Sequence, residues 1–87
     1  MTYRIAFKPS AEKAYLRLEF ITRRRIAKKL DALVENPRAV GVEKLEGDDN
    51  LWRVRVGDHR IVYEIHDDRV MVLVVRIGHR REIYRAL

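Results

Sequence analysis

The N-terminal half of the chain changes from a strand-like to a helix-like spacing of apolar residues. Apolar positions alternate from about residue 2 to residue 7, which is the period of a half-buried strand. After Pro9 they recur every three or four positions, first in a short segment and again over residues 21–35. Pro37 ends this second pattern, because the residue before a proline avoids helical angles. We therefore predict one strand followed by two helices.

The C-terminal half favours strands. Residues 38–50 are rich in turn-forming side chains and predict a loop, with a short extended piece near Lys44 and Leu45. Alternation returns at residues 52–65 on either side of Gly57 and Asp58, as expected of a hairpin.

Residues 70–75 are apolar throughout, as in a central strand covered on both faces, which Gly78 would end. Residues 81–87 could form a last helical turn or two. The prediction is a single α+β domain over residues 1–87, with element order β-α-α-β-β-β and a short C-terminal helix. An antiparallel sheet of about four strands would carry the two helices on one face.

The predicted hairpin gathers arginines on one face of the sheet. A two-residue turn at Gly57 and Asp58 places Arg55 opposite Arg60, with their Cβ atoms about 5 Å apart, and puts Arg53 on the same face. Like charges so placed repel each other unless an anion lies between them. We interpret the cluster as a phosphate site.

The alternative is that carboxylates of the same chain neutralise these arginines. Glu64 lies on the same face, and Glu46, Asp48 and Asp49 lie in the preceding loop. Residues 51–87 hold eight arginines and five acids, so neutralisation within this region is incomplete.

Composition agrees with an anionic partner. The 87 residues include 19 Lys and Arg against 13 Asp and Glu, a net charge of +6. The absence of cysteine excludes disulfides and thiolate metal sites, and Arg4 and Lys8 interrupt any apolar N-terminal segment. We expect a soluble cytoplasmic protein with no membrane association.

The chain lacks the motifs of several common enzyme classes. It contains no phosphate loop, no Gly-x-Ser-x-Gly, no His-Glu-x-x-His and no acidic cluster with metal spacing. We predict neither a metal nor a cofactor. His79 and Tyr84 follow the apolar strand and could complete a site, although a surface histidine and a packed aromatic are the simpler interpretations of each alone.

Along its whole length the sequence resembles the RelE/ParE superfamily of toxins. The resemblance is carried by Leu45-Glu46-Gly47, by residues 51–65 (LWRVRVGDHRIVYEI) and by residues 77–84 (IGHRREIY). It implies a metal-independent endoribonuclease that cuts mRNA on the ribosome, and a small RelB-like antitoxin that forms a hetero-oligomer with it. The implied catalytic residues are Arg53, Arg55, Arg60, Arg80 and Tyr84.

Further roles follow from this resemblance. Tyr84 would be the general base, with His79 in reserve and Arg81 as an auxiliary cation. Arginine stands at positions 53 and 55 where the best-known member has lysine, which makes a base role there untenable. Basic residues of the helices would contact RNA, or else form a solvated face: Lys13, Arg17, Arg23, Arg24, Arg25, Lys28 and Lys29.

Two other functions are compatible with the same residues. A ParE-like protein would inhibit DNA gyrase by binding and would not cut RNA. A passive RNA-binding module would use the arginines for salt-dependent affinity without chemistry. The joint presence of four arginines and Tyr84 favours the nuclease.

Overall fold

The computed structural model describes residues 2–45, 47 and 50–79. In chain order the elements are β1 (Arg4–Phe7), α1 (Pro9–Leu16), α2 (Phe20–Glu35), β2 (Val42–Lys44), β3 (Leu51–Val56), β4 (His59–His66), a 3-10 turn (Asp67–Arg69) and β5 (Met71–His79). The predicted α+β class and the two helices are confirmed. The predicted C-terminal helix lies outside the described residues, and no described helix is long and apolar enough to span a membrane.

The sheet is larger than predicted and has mixed strand directions. In the described part of the chain it has five strands in the order β1-β5-β4-β3-β2, where about four antiparallel strands were expected. The additional strand is β2, which pairs with β3 at the sheet edge. Strand β1 runs parallel to β5, while the other pairs are antiparallel. Alternation along a segment predicts a strand but does not identify its neighbour, which explains both differences.

Both helices cover one face of this sheet. Helix α2 buries Ile26, Leu30 and Leu33, whose spacing places them on one side of the helix. They join a core formed by the inward residues of the strands, among them Tyr63 and Val72. The opposite face of the sheet is therefore left without a helical layer among the described residues.

The hairpin β3–β4 has the predicted register. Arg55 pairs with Arg60 and Trp52 with Tyr63, on either side of the turn at Gly57. Because side chains alternate across a strand, the three arginines lie on the face away from the helices. The hairpin thus positions the candidate site.

Strand β5 differs from its prediction. Val72 and Val74 are buried, but Leu73 and Val75 are only half-buried, so the strand is fully covered on the helical side alone. It also continues through Gly78 to His79. Among the residues that the structure describes, no second layer covers the apolar side chains of the outer face.

Candidate functional site

The three hairpin arginines line one pocket on the open face of the sheet. This arginine pocket has a volume of about 230 Å³ and is lined by Arg53 and Arg55 of β3, Arg60 of β4, Glu43 of β2 and Gly41. The sequence prediction that these three side chains share a face is confirmed by the register.

Arg60 is the most enclosed of the three. It is 7% exposed and pairs in register with Arg55 on one side and with Gly78 of β5 on the other. Since glycine has no side chain, β5 places none beside Arg60 at this position. A buried guanidinium is costly unless anionic or hydrogen-bonding groups surround it.

Arg53 and Glu43 form an ion pair within the pocket. The Arg53 Nε and a terminal nitrogen both donate to Glu43 Oε2, at 3.2 and 2.8 Å. These hydrogen bonds lower the pKa of the Glu43 carboxyl, and the charge of Arg60 adds to the effect. Sequence reasoning missed Glu43, because the signal would have been the register of β2 against β3, which the sequence does not show.

Among the described residues, the pocket holds more positive than negative charge. Its described lining holds three guanidinium groups and one carboxylate, and the Arg55 Nε donates to the Gly57 carbonyl at 3.2 Å. Of the acids expected to neutralise the cluster, Glu64 instead contacts His66 at 2.7 Å. Glu46, Asp48 and Asp49 lie outside the described residues. Such a cavity is suited to a group with more than one negative charge or with several acceptor oxygens.

The histidine proposed as a reserve base lies elsewhere. His79 pairs in register with His59, and the two rings meet edge-on with centroids 5.7 Å apart. Because the neighbouring pair, Arg60 and Gly78, belongs to the open face, His79 alternates to the other face of the sheet. Arg80, Arg81 and Tyr84 lie outside the described residues.

The basic residues of the helices form a separate surface. Arg24 lies over the ring of Phe20 at 5.7 Å, and Arg23 donates to the Leu16 carbonyl at 3.4 Å. The helical layer covers the face opposite the arginine pocket, so the structure does not bring this set together with the hairpin arginines. The set comprises Lys13, Arg17, Arg23, Arg24, Arg25, Lys28 and Lys29.

Within the described part of the chain, no group of three or more His, Cys, Asp or Glu side chains is close enough to hold a metal ion. What the described site offers chemically is positive charge and hydrogen-bond donors.

Fold and pocket together define a small basic protein with an arginine-lined pocket on the open face of its sheet, and the proteins that it matches belong to one class. A family model described as the ParE toxin of the type II toxin-antitoxin system parDE matches residues 5–84. The chain is 31% identical to the mRNA interferase toxin RelE of Escherichia coli (strain K12), over 97% of this chain and 92% of that protein.

Solved structures give the same result. A mutant of E. coli toxin RelE in the free state matches with a TM-score of 0.83 and 29% identity, covering 98% of this chain and 93% of that chain. RelE in the RelE-RelB complex of Pyrococcus horikoshii OT3 matches with a TM-score of 0.78 and 29% identity. This match covers 92% of this chain and 97% of that chain. The chain belongs to the RelE/ParE superfamily of toxins from type II toxin-antitoxin systems.

Proposed function

We propose that this protein is an mRNA interferase: a toxin that cleaves messenger RNA on the ribosome and holds the scissile phosphate in the arginine pocket. The observation that carries this proposal is the excess of guanidinium groups among the described residues that line one pocket, with Arg60 almost fully buried. Its sequence relatives named mRNA interferase support the choice of RNA as substrate.

The reaction that suits this site is attack by an RNA 2′-hydroxyl on the adjacent phosphodiester. The 2′-oxygen forms a bond to phosphorus while the bond to the 5′-oxygen breaks, leaving a cyclic phosphate and a free 5′-hydroxyl. A base accepts the 2′ proton, and the leaving 5′-oxygen receives a proton. Arg53, Arg55 and Arg60 bind the phosphate and stabilise the charge that develops on its oxygens.

The remaining roles belong to residues near the C-terminus. Tyr84 is the proposed base, Arg80 assists the leaving oxygen and Arg81 is an auxiliary cation. A tyrosine titrates near pH 10 in water, about three units above neutrality, so nearby cations must lower the pKa of Tyr84 for it to act. The position of His79 on the other face of the sheet makes it a weaker candidate for this step.

The proposal includes partners. A RelB-like antitoxin would bind the toxin in a hetero-oligomer, as in the E. coli and P. horikoshii complexes of its structural relatives. The basic helical surface would contact ribosomal RNA, which supplies affinity that falls with salt. A toxin that acts on ribosomes is expected to work in the cytoplasm.

Primer extension on a translated message tests the activity. Wild-type protein should produce discrete cuts that need ribosomes, and Arg55→Ala should reduce cleavage about 100-fold, as for loss of one donor to a developing oxyanion. Arg69→Ala is the matched control, since Arg69 is an exposed arginine on the 3-10 turn. Equal activity of the two variants would contradict a role for the pocket.

The same assay examines the proposed base. Tyr84→Phe should abolish cleavage while leaving RNA binding intact, because only the proton acceptor is removed. Full activity in this variant would remove Tyr84 from the mechanism.

The ParE description of the matching family model favours one other candidate, inhibition of DNA gyrase by binding. Such a protein would block supercoiling by purified gyrase and leave translated messages uncut. A passive RNA-binding protein would produce neither result, so the two assays together distinguish all three functions.

A further inference from the structure

The arginine pocket already holds an anion that belongs to the chain. Glu43 extends from the edge strand β2, pairs in register with Arg53, and places one carboxylate oxygen at 2.8 and 3.2 Å from two guanidinium nitrogens. The charge of Arg60 also acts on this carboxylate. Glu43 thus lies among the donors that a phosphate would need.

The contacts themselves indicate competition. The Nε and terminal N–H groups of an arginine form the forked edge that fits phosphate or carboxylate oxygens. In Arg53 both of these groups point to Glu43 Oε2. A phosphate that uses the same edge must therefore displace Glu43 or bind beside its negative charge.

Stability is a poor explanation for this pair. The Glu43 side chain is 66% exposed and lies in a three-residue edge strand. Exposed ion pairs of this kind contribute little to the free energy of folding. The main effect of Glu43 is therefore the negative charge that it brings into the pocket.

Glu43 also has room to leave. Gly41 lines the same pocket, and a Cβ placed on it would meet no heavy atom within 4 Å. The Glu43 side chain is also mostly exposed to solvent. Both features favour displacement of the carboxylate by a change of side-chain rotamer.

We propose that Glu43 is a specificity-determining residue, an internal competitor that occupies Arg53 until a phosphate held by additional contacts displaces it. This inference rests on the proposed function, because it assumes that the pocket takes the scissile phosphate. The consequence is selectivity. Free anions and RNA held by few other contacts bind weakly, whereas a message positioned by further contacts binds all three arginines.

Binding of an uncleavable probe tests the competition. The probe is a short fluorescently labelled single-stranded DNA, which carries the phosphates but lacks the 2′-hydroxyl nucleophile. Fluorescence anisotropy at low salt gives its Kd, with inorganic phosphate as a competitor. Glu43→Gln keeps the shape of the side chain and removes the charge, so it should tighten binding about 1.5-fold to fivefold, the range that corresponds to an exposed ion pair.

Glu12→Gln is the matched control. It makes the same chemical change and the same change in net charge on α1, which packs on the other face of the sheet. It should change Kd much less than Glu43→Gln. If the two variants bind the probe equally, or if Glu43→Gln binds more weakly than wild type, the competition is disproved.

One more variant separates this inference from the proposed function. Arg55→Ala should weaken probe binding, and failure to do so would mean that the pocket is not the phosphate site. If Arg55→Ala weakens binding but Glu43→Gln does not strengthen it, only the role of Glu43 is overturned. Thermal unfolding of each variant checks that the fold is retained.

Discussion

At the scale of single residues, Tyr63 shows how one buried polar atom is satisfied in this small core. Its ring is fully buried, and its hydroxyl donates to the Pro37 carbonyl at 2.7 Å. Burial raises the pKa of this phenol, so the hydroxyl keeps its proton at any physiological pH. The bond ties the loop after α2 to the centre of the sheet.

Tyr63→Phe should lower the free energy of unfolding by about 1 to 2 kcal/mol, because the Pro37 carbonyl loses its donor. Urea denaturation measures the change. Tyr15→Phe is the control, because the ring of Tyr15 makes the contact described with Phe7 and this substitution keeps the ring. A similar loss in both variants would mean that the hydroxyl bond of Tyr63 contributes little.

At the scale of elements, the β3–β4 hairpin depends on its turn. Gly57 has a φ of +58°, in the left-handed region, and a Cβ there would meet no heavy atom within 4 Å. Gly57→Ala should therefore destabilise the protein by conformational strain alone, about 1 kcal/mol. Urea denaturation checks this, with Asp58→Ala in the same turn as the comparison.

The register of the hairpin should survive that strain, because the inward residues Val54 and Ile61 are buried against the helices. A one-residue slip would expose them and turn the arginines toward the core. Loss of phosphate binding together with a retained fold in Gly57→Ala would contradict this expectation.

At the scale of the whole molecule, Asp67 joins three distant segments. It accepts a hydrogen bond from the Tyr3 hydroxyl at 2.7 Å. It also forms a bidentate ion pair with Arg38, with hydrogen bonds of 2.8 and 3.2 Å. Tyr3 precedes β1, Arg38 follows α2, and Asp67 begins the turn between β4 and β5. The hydrogen bonds from Arg38 have the largest effect on the pKa of Asp67, followed by the one from Tyr3, and they lower it from 3.8 to about 2.

A carboxyl with a lowered pKa stabilises the fold when it is ionised. Its contribution is present above the unfolded pKa of 3.8 and is lost as the pH falls through about 2. Asp67→Asn should thus be less stable than wild type at pH 7. The difference in stability should shrink as the pH falls from 3.8 to about 2. Denaturant unfolding at several pH values measures it, and a difference that stays constant down to pH 2 would argue against the ion pair.

Much of the fold and part of the site could be predicted from single residues and their spacing. Alternation around Gly57 predicted the hairpin register, and with it the common face of Arg53, Arg55 and Arg60. It could not predict the parallel pairing of β1 with β5 or the position of β2, because these join segments that are distant in the chain. The role of Glu43 was hidden for the same reason.

The sequence by itself determined the two helices, the hairpin and the excess of arginine, because local periodicity and turn residues specify elements and their faces. Only the tertiary structure decided which of the described acids contacts these arginines. Glu43 contacts Arg53 and Glu64 contacts His66, since side-chain pairing depends on the order of strands in the sheet. That order depends on how buried faces from distant parts of the chain pack together. No short segment of sequence specifies it.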